Sequence, residues 1–399
     1  MLNSCLKGAV VLLALTLAVG CWSKKELNEL ALVVAMGVDK ADNGYMISVQ
    51  IVSPSQVVGK KNIGNRSPAV TYTMTGPTIP EALRRMSRVS PRRLYLSHVR
   101  VMVFGEAVAR DGLGDTLDFL SRNRDMRTDF YVMVARESKA SEVLNIFSTI
   151  EPVPANKLFT SLRMTSRLWG SGEAVTLDDL LERITSPGFD PVITGIRIIG
   201  DPELGMTQEN VKRIVPEAIA KYEGLALLKK DTLVGWLNDS ESRFVSYLLN
   251  QVKTSALHLA CPHGTISLEI IRSSSSIKFT GLRENRLSYQ VMTKTEADIG
   301  SIECDLDMTK PQTVAELEQQ ARQQLIGELE QTVRHVQKQY GVDIFGFGQA
   351  LHHANPKLWK QYEQDWGRSF AKADIQVEVD LHIRRIGTIV QPLQKEVVE

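Results

Sequence analysis

Residues 313–340 read TVAELEQQARQQLIGELEQTVRHVQKQY, and this stretch decides the fold of the C-terminal part of the chain. Its apolar residues recur three or four positions apart, a spacing that places them in one stripe along an α-helix. The stripe consists of Val314, Leu317, Ala321, Leu325, Leu329, Val333, Val336 and Tyr340. Thr313 and Glu316 have the spacing of a capping box, and Gly341 stands where a helix-ending glycine is expected. The sequence therefore predicts one long amphipathic helix over 313–340.

Alternating apolar and polar residues flank this helix on both sides. Residues 266–270, 277–279 and 287–291 precede the helix, and Ile375 to Ile383 follow it. A period of two predicts strands with one buried face. Ser273 to Ser276 interrupt the pattern and are predicted to form a polar turn. We expect residues 253–399 to form an α+β domain, in which the long helix lies across an antiparallel sheet.

The preceding part of the chain mixes two patterns. An apolar run at Ala31–Val38 and an alternating segment at Tyr45–Ile51 predict an opening β-hairpin. Strands and helices then alternate through residues 78–190, as in α/β domains. Strand character returns at Val192–Ile199 and Leu225–Leu228. We expect the hairpin to pair with these later strands. Residues 21–77 and 191–252 would then form one discontinuous domain, with 78–190 inserted as an α/β domain. The predicted class is α+β, with three domains and mostly antiparallel sheets.

The N-terminus has the features of a lipoprotein signal peptide. After Lys7, the residues Gly8–Gly20 contain no charge, and this apolar run is shorter than the roughly 20 residues that span a bilayer. Small residues lead to Cys21, in a lipobox-like sequence that has Ala18 where leucine is commoner. We expect residues 1–20 to be cleaved and Cys21 to carry the lipid, which holds a soluble body at a membrane surface.

Charge and cysteine content narrow the function further. The chain has 47 basic and 46 acidic side chains in 399 residues, and this balance argues against a general nucleic-acid binder. Of four cysteines, Cys5 leaves with the signal peptide and Cys21 is the lipidation site, which leaves Cys261 and Cys304. An exported location permits a disulfide between these two. Unpaired cysteines are also readily buried as small hydrophobic residues, so the sequence leaves both states open.

Motifs along nearly the whole chain resemble the Ger(x)C, or GerAC-like, family of spore-germination lipoproteins. They occur in the family order and are densest near the C-terminus. In chain order they are Cys21-Trp22, Glu26-Leu27, Gly37-Val38-Asp39, His98, Leu117-Asp118-Phe119-Leu120 with Arg122, Gly224-Leu225-Ala226, Asp231-Thr232-Leu233-Val234-Gly235, Asp343-Ile344-Phe345-Gly346-Phe347-Gly348, Pro356, Trp359, Trp366 and Ile383-Arg384-Arg385-Ile386-Gly387.

This resemblance implies a third, or C, subunit of a nutrient germinant receptor. Such a subunit has a three-domain body, lipid-anchored on the outer face of the spore inner membrane. It acts with two integral membrane subunits, of A and B type. The resemblance implies no enzymatic activity and no cofactor. A solute-binding lipoprotein is the alternative function, and a surface hydrolase is a third class.

Other candidate sites in the sequence favour structural roles. Six arginines cluster at Arg84, Arg85, Arg88, Arg92, Arg93 and Arg100, and they form either a solvated helix face or a surface for lipid headgroups or an acidic partner. His98 and the pair His352-His353 lack metal-ligand neighbours. The aromatic stripe Leu358, Trp359, Tyr362, Trp366 and Phe370 has the spacing of core packing. We predict no catalytic, cofactor-binding or metal site.

Overall fold

The computed structural model describes residues 29–52, 67–304 and 306–385. The predicted signal peptide and the motif residues Cys21-Trp22, Glu26-Leu27 and Ile386-Gly387 lie outside the described residues. Within them the chain forms two mixed sheets covered by helices, which confirms the α+β class. Six strand pairs are antiparallel and five are parallel among the described strands.

The first sheet contains strands from the beginning of the described chain to its middle. They are β1 (Leu30–Ala41), β2 (Gly44–Val52), β3 (Ala69–Gly76), β4 (Arg93–Tyr95), β5 (Val101–Gly105), β6 (Tyr131–Ala135), β7 (Val192–Gly200), β8 (Ala218–Lys229) and β9 (Thr232–Leu237). Their order is β3-β2-β1-β5-β6-β7-β8-β9, and β4 pairs with the start of β1. The four central strands β1, β5, β6 and β7 are parallel neighbours.

From the sequence we expected the opening hairpin to pair with the later strands. In the structure it does not pair with them directly. Strands β5 and β6 lie between β1 and β7, so residues 78–190 supply the middle of this sheet and carry no separate sheet among the described residues. The physical reason lies in their composition. Short, fully apolar strands belong at the centre of a parallel sheet, where helices cover both faces.

Helices cover both faces of the first sheet. They are α1 (Ile79–Arg85), α2 (Glu106–Asp111), α3 (Gly114–Arg122), α4 (Ala140–Asn145), α5 (Pro154–Leu168), α6 (Leu177–Thr185), α7 (Pro202–Gly205) and α8 (Glu209–Lys212), with 3-10 turns at Met86–Arg88 and Leu96–His98. One core lies under α1, α2, α3 and α6, and a second lies under α4 and α5. Val101 and Val103 face one core, whereas Met102 and Phe104 face the other.

The second sheet lies in the C-terminal part of the chain, with strands β10 (Ser255–Cys261), β11 (Gly264–Arg283), β12 (Arg286–Ile302) and β13 (Asp374–Arg385). It is not purely antiparallel, because β13 runs parallel to β12. A parallel pair needs a long crossover connection, and the helices between these two strands supply it. Ser273 to Ser276 do not form a turn. They continue β11, where the Ser275 and Thr293 hydroxyl oxygens lie 3.0 Å apart across the strands.

The predicted long helix is α10 (Pro311–Gln339), which begins two residues before Thr313. Proline is favoured in the first turn of a helix, and this places Thr313 inside that turn, so it does not cap it. The apolar stripe is buried as predicted, from Leu317 to Val336. The remaining helices are α9 (Asp239–Leu248), α11 (Phe347–Ala354), α12 (Pro356–Tyr362) and α13 (Trp366–Ala371), with a 3-10 turn at Glu363–Asp365.

The core of the second sheet also includes residues that precede residue 253 in the chain. Phe244, Val245 and Leu248 on α9 belong to it, together with Leu225 and Leu227 on β8 of the first sheet. Ala226 and Leu228 on the opposite face of β8 belong to the core of the first sheet. The two sheets are therefore packed together along β8.

Candidate functional site

Asp343 forms the centre of a polar junction between the two sheets. Its Oδ1 accepts hydrogen bonds from the backbone N–H of Phe345 (3.1 Å) and Gly346 (2.9 Å). Its Oδ2 accepts from the N–H of Gly348 (2.7 Å) and from the indole N–H of Trp366 (3.1 Å). The carboxylate thus fixes the turn that leads into α11 and holds α13 against it.

The backbone of Asp343 connects this turn to the first sheet. The N–H of Asp190 donates to the Asp343 carbonyl (2.7 Å), and the N–H of Asp343 donates to Asp190 Oδ2 (3.1 Å). Asp190 Oδ1 also accepts from the N–H of Lys230, just after β8 (3.1 Å). A buried carboxylate, a half-buried carboxylate and three segments of the chain therefore meet at one place.

The glycines of this turn allow the segments to approach closely. A Cβ atom on Gly188 would lie 2.6 Å from the Cα of Gly348, closer than real atoms pack. Gly346 has a φ of +88°, a conformation that side chains other than glycine rarely adopt. Only glycine at these positions lets the loop before β7 contact the start of α11.

Electrostatics at the junction combine two opposing effects. Burial raises the pKa of Asp343 to about 7, while the backbone N–H donors act to lower it. Burial also raises the pKa of Asp190, against hydrogen bonds from Lys230 and Asp343. Among the described residues, the hydrogen bonds that Asp343 accepts come from N–H groups, which favour the ionised carboxylate and oppose the larger effect of burial.

Two other family-like motifs also lie at joints of the fold. Asp39, at the end of the Gly37-Val38-Asp39 motif, accepts from the N–H groups of Ala140 (2.7 Å) and Ser141 (2.9 Å) at the start of α4. Asp231 accepts from the N–H of Gly114 at the start of α3 (2.9 Å). Each carboxylate connects a strand end to a helix N-terminus, where negative charge is favoured.

The aromatic stripe packs as predicted. Trp359, Trp366 and Phe370 are buried, and the two indole rings lie 5.2 Å apart, centroid to centroid. His98 is exposed beside the Tyr95 ring. His352 lies near Trp359, with ring centroids 6.1 Å apart. In the part of the chain that the structure describes, no group of three or more His, Cys, Asp or Glu residues is arranged to hold a metal ion.

Cys261 and Cys304 are brought together at one end of the second sheet. Their Cα atoms are 6.3 Å apart, within the range of a disulfide, and the structure joins their sulfur atoms. Cys261 ends β10 and Cys304 follows β12, so the bond crosses β11, which lies between these two strands in the sheet.

A cavity of about 250 Å³ lies between α5 and the start of β8. Its walls are mainly apolar, and the charged residues that line it are Lys157 and Glu151. The apolar lining residues include Val143, Ile146, Leu158, Ala218 and Ile219. The Lys157 ammonium donates to the carbonyl of Ala220, and burial lowers the pKa of Lys157 to about 8.

Sequence reasoning missed the roles of Asp343 and Lys157, for different reasons. Asp343 precedes a glycine-containing turn and accepts a hydrogen bond from the N–H two residues ahead. This is a recurring use of aspartate, and it was recognisable in the sequence although we did not predict it. Lys157 lies on an ordinary amphipathic helix, and no sequence signal distinguishes it from a solvated lysine.

The arginine cluster is divided by the structure. Arg85 pairs with Glu81 (2.6 Å) and Arg100 donates to Asn156 (3.2 Å), whereas Arg84, Arg88 and Arg92 are exposed.

None of the described helices is long and apolar enough to cross a membrane.

Comparison with known proteins gives matches along most of the chain. The spore germination protein N-terminal domain matches residues 23–198, and the spore germination B3/GerAC-like C-terminal domain matches residues 223–387. The boundary between the two falls inside the first sheet, because β9 and the second part of β8 belong to the second match.

Individual relatives match over nearly their whole length. Spore germination protein KC of Bacillus subtilis (strain 168) is 29% identical over 405 residues, which cover 99% of each chain. Spore germination protein B3 of the same organism is 21% identical and covers 96% of this chain and 98% of its own.

A solved structure shares the fold. The crystal structure of the GerBC protein superposes with a TM-score of 0.56 at 18% identity, over 87% of this chain and 96% of that one. The family resemblance of the motifs around Asp39, Asp231 and Asp343 agrees with two consecutive family matches, full-length relatives and a shared fold. This chain belongs to the GerAC-like family of spore germination proteins.

Proposed function

We propose that this protein is the lipid-anchored, non-enzymatic C subunit of a nutrient germinant receptor. It acts in spore germination together with two integral membrane subunits, of A and B type. Its place is the outer face of the spore inner membrane, where the acyl chains on Cys21 hold it. The observation that carries this proposal is the match to spore germination protein KC over 99% of both chains.

The anchor gives the subunit a physical role. Confinement to a membrane surface raises the effective concentration of the body beside its membrane partners. Two or more acyl chains are needed for stable anchoring, because a single chain binds only marginally. The proposed lipidation of Cys21 would provide them.

The non-enzymatic part of the proposal rests on where the family-like motifs lie. Asp39, Asp231 and Asp343 each accept backbone N–H bonds at a joint of the fold. Carboxylates used in this way stabilise the body and are not free to transfer protons to a substrate. A hydrolase activity of the purified protein that one point mutation abolishes would contradict this assignment.

Substituting Cys21 tests the anchor and the function together. In spores, Cys21→Ala should release the protein from the membrane fraction and reduce nutrient-triggered germination to the level of a deletion. Cys5→Ala is the matched control, because Cys5 is removed with the proposed signal peptide and its loss should change neither readout. Mass spectrometry of the mature N-terminus should find a diacylglyceryl cysteine. An N-terminus at Met1 or an unmodified Cys21 would contradict the proposal.

A second candidate is a lipoprotein that captures a small solute itself. The cavity beside Lys157 favours it, because a mostly apolar pocket lined by one partly desolvated amine and by the Glu151 carboxylate suits a small ligand with a few polar groups. Calorimetric titration of the protein and of Lys157→Met with amino acids and sugars distinguishes the two functions. Saturable binding that Lys157→Met abolishes would favour solute capture by this subunit.

A further inference from the structure

A groove beside helix α1 presents arginines to solvent, and we call it the arginine groove. It has a volume of about 760 Å³, with Arg84, Arg92 and Arg93 among its lining residues. Apolar side chains, including Leu83, Leu94 and Phe119, also line it. The groove thus combines cationic groups with an apolar lining.

The positive charge of this groove is only partly compensated. Asp125 is the carboxylate among its lining residues, and it pairs with Arg93 at 3.7 Å. Over the ranges that the structure describes, Arg84, Arg88 and Arg92 have no carboxylate within ion-pair distance, and all three are exposed. Paired arginines on an ordinary helix face, such as Arg85 with Glu81, do not leave such an excess.

The groove lies where the described chain begins. Arg93 on β4 is the pairing partner of Leu30, the first residue of β1, so the two backbones are adjacent in the sheet. Leu30 is the ninth residue after Cys21, and an extended chain of that length reaches at most ~30 Å. If Cys21 carries the anchor, as proposed above, the arginine groove stays within that distance of the lipid surface.

Exposed apolar groups accompany the arginines. Val89 is 46% exposed, and Pro91 lies on the same surface between Arg88 and Arg92. Arginine and apolar side chains side by side are typical of surfaces that rest at the headgroup level of a bilayer.

We propose that the arginine groove binds the phosphate groups of anionic phospholipids and sets the body with this edge on the membrane. Guanidinium groups bind phosphate bidentately, so Arg84 and Arg92 bind the headgroup phosphates. Arg88 adds to the local positive potential. This contact rests on the proposed anchor for its location, and it adds orientation to attachment.

Vesicle binding without the anchor tests this inference. The probe is the chain from Trp22 onward, which keeps every described residue and cannot be lipidated at Cys21. It is sedimented with vesicles of phosphatidylcholine alone and of phosphatidylcholine with phosphatidylglycerol. We expect binding to the anionic vesicles only, weakened by added salt because the charges are exposed.

Two triple variants provide the comparison. Arg84→Gln, Arg88→Gln and Arg92→Gln together should weaken binding on the order of 100-fold, from the typical contribution of one basic residue near an anionic surface. The control changes Lys278, Arg283 and Arg286 to Gln at the far end of the β11–β12 hairpin, with the same loss of charge. It should bind like the unaltered protein.

Several outcomes would overturn the inference. These are equal binding to both kinds of vesicle, no binding to either, or equal weakening by the two triple variants. All six side chains are exposed, so thermal melting of both variants should match the parent and exclude misfolding. Because the unlipidated chain is used, failure here leaves the lipidation of Cys21 to be judged separately from its mass spectrum.

Discussion

The two sheets are stabilised in different ways. In the first sheet, neighbouring residues of β5 face opposite cores, and every residue from Val101 to Gly105 is buried. In the second sheet, β13 alternates, with Val377, Val379 and Leu381 inside and Gln376, Glu378 and His382 outside. Helices pack on both faces of the first sheet, so two cores stabilise it. The second sheet depends on the core at its one covered face.

This difference has consequences for stability. The covered face of the second sheet packs under α9, α10, α11 and α13, and Asp343 holds the last two together. Loss of a single element there should therefore affect the whole second sheet. Loss of one element from the first sheet should destabilise a smaller region, because the core on the opposite face of that sheet remains.

The largest effect should come from removing α9. We predicted from sequence that residues 253–399 form a domain of their own, and we propose that its stable form begins at Asp239, because Phe244, Val245 and Leu248 belong to its core. A fragment over 239–399 should fold cooperatively, and one over 253–399 should not. Circular dichroism melting of both fragments tests this. Equal melting temperatures would show that α9 contributes nothing.

Asp343→Ala should cost about 3–5 kcal/mol of unfolding free energy, because four N–H donors lose their acceptor at a buried site. The comparison is Asp39→Ala in the first sheet, where two backbone donors lose theirs, and a cost of about 1–3 kcal/mol is expected. Urea unfolding measures both. A smaller cost at Asp343 than at Asp39 would reverse the contrast between the sheets.

Leu329→Ala should cost about 2–5 kcal/mol, because the side chain is fully buried between α10 and the second sheet. Gln323→Ala on the exposed face of the same helix is the control, and its effect should stay within about 0.5 kcal/mol. The same chemical denaturation compares them. If both variants have the parent stability, the helix stripe does not support the sheet.

The bond between Cys261 and Cys304 should contribute about 2–4 kcal/mol, because it closes a loop with a sequence separation of 43 residues. Replacing both cysteines by alanine should lower the stability of the second sheet and leave the first unaffected. A thiol assay on the unfolded, unreduced native protein checks the bond itself. Two reactive thiols per chain would mean that the bridge is absent.

The smallest effect concerns pH. The pKa of Asp343 is raised to about 7 in the folded protein from 3.8, so the folded state binds the proton more tightly between these values. Stability should then fall as pH rises, by about 2 kcal/mol between pH 5 and pH 7. Asp39 and Asp190 also have raised pKa values, so the contribution of Asp343 is the difference from Asp343→Asn, whose profile should be flatter. An identical slope in the variant would contradict it.

The sequence predicted the second sheet better than the first, for a physical reason. Alternation along β13 and the stripe on α10 identify which face is buried, and a buried face fixes the packing partner. Strands β5 and β6 are apolar on both faces, so their pattern does not say which neighbours they pair with. The sequence therefore located these strands but not their order.

Local signals explain two of the helices that the sequence analysis missed. Asn238 and Glu241 form a reciprocal capping box at the start of α9, and Pro154 opens α5. Both patterns are visible in the sequence. The junction at Asp343 needs more, because its partners Asp190 and Gly188 lie over 150 residues away and only the fold brings them together.

Co-purification from spore membranes tests whether this protein is a receptor subunit. The protein carries an affinity tag after Glu399, is extracted in mild detergent from membranes of an endospore-forming host, and is captured with its companions. We predict that two integral membrane germination proteins co-purify with it, and that they are lost from the capture with Cys21→Ala. Recovery of the protein alone, with its membrane attachment intact, would contradict a receptor subunit.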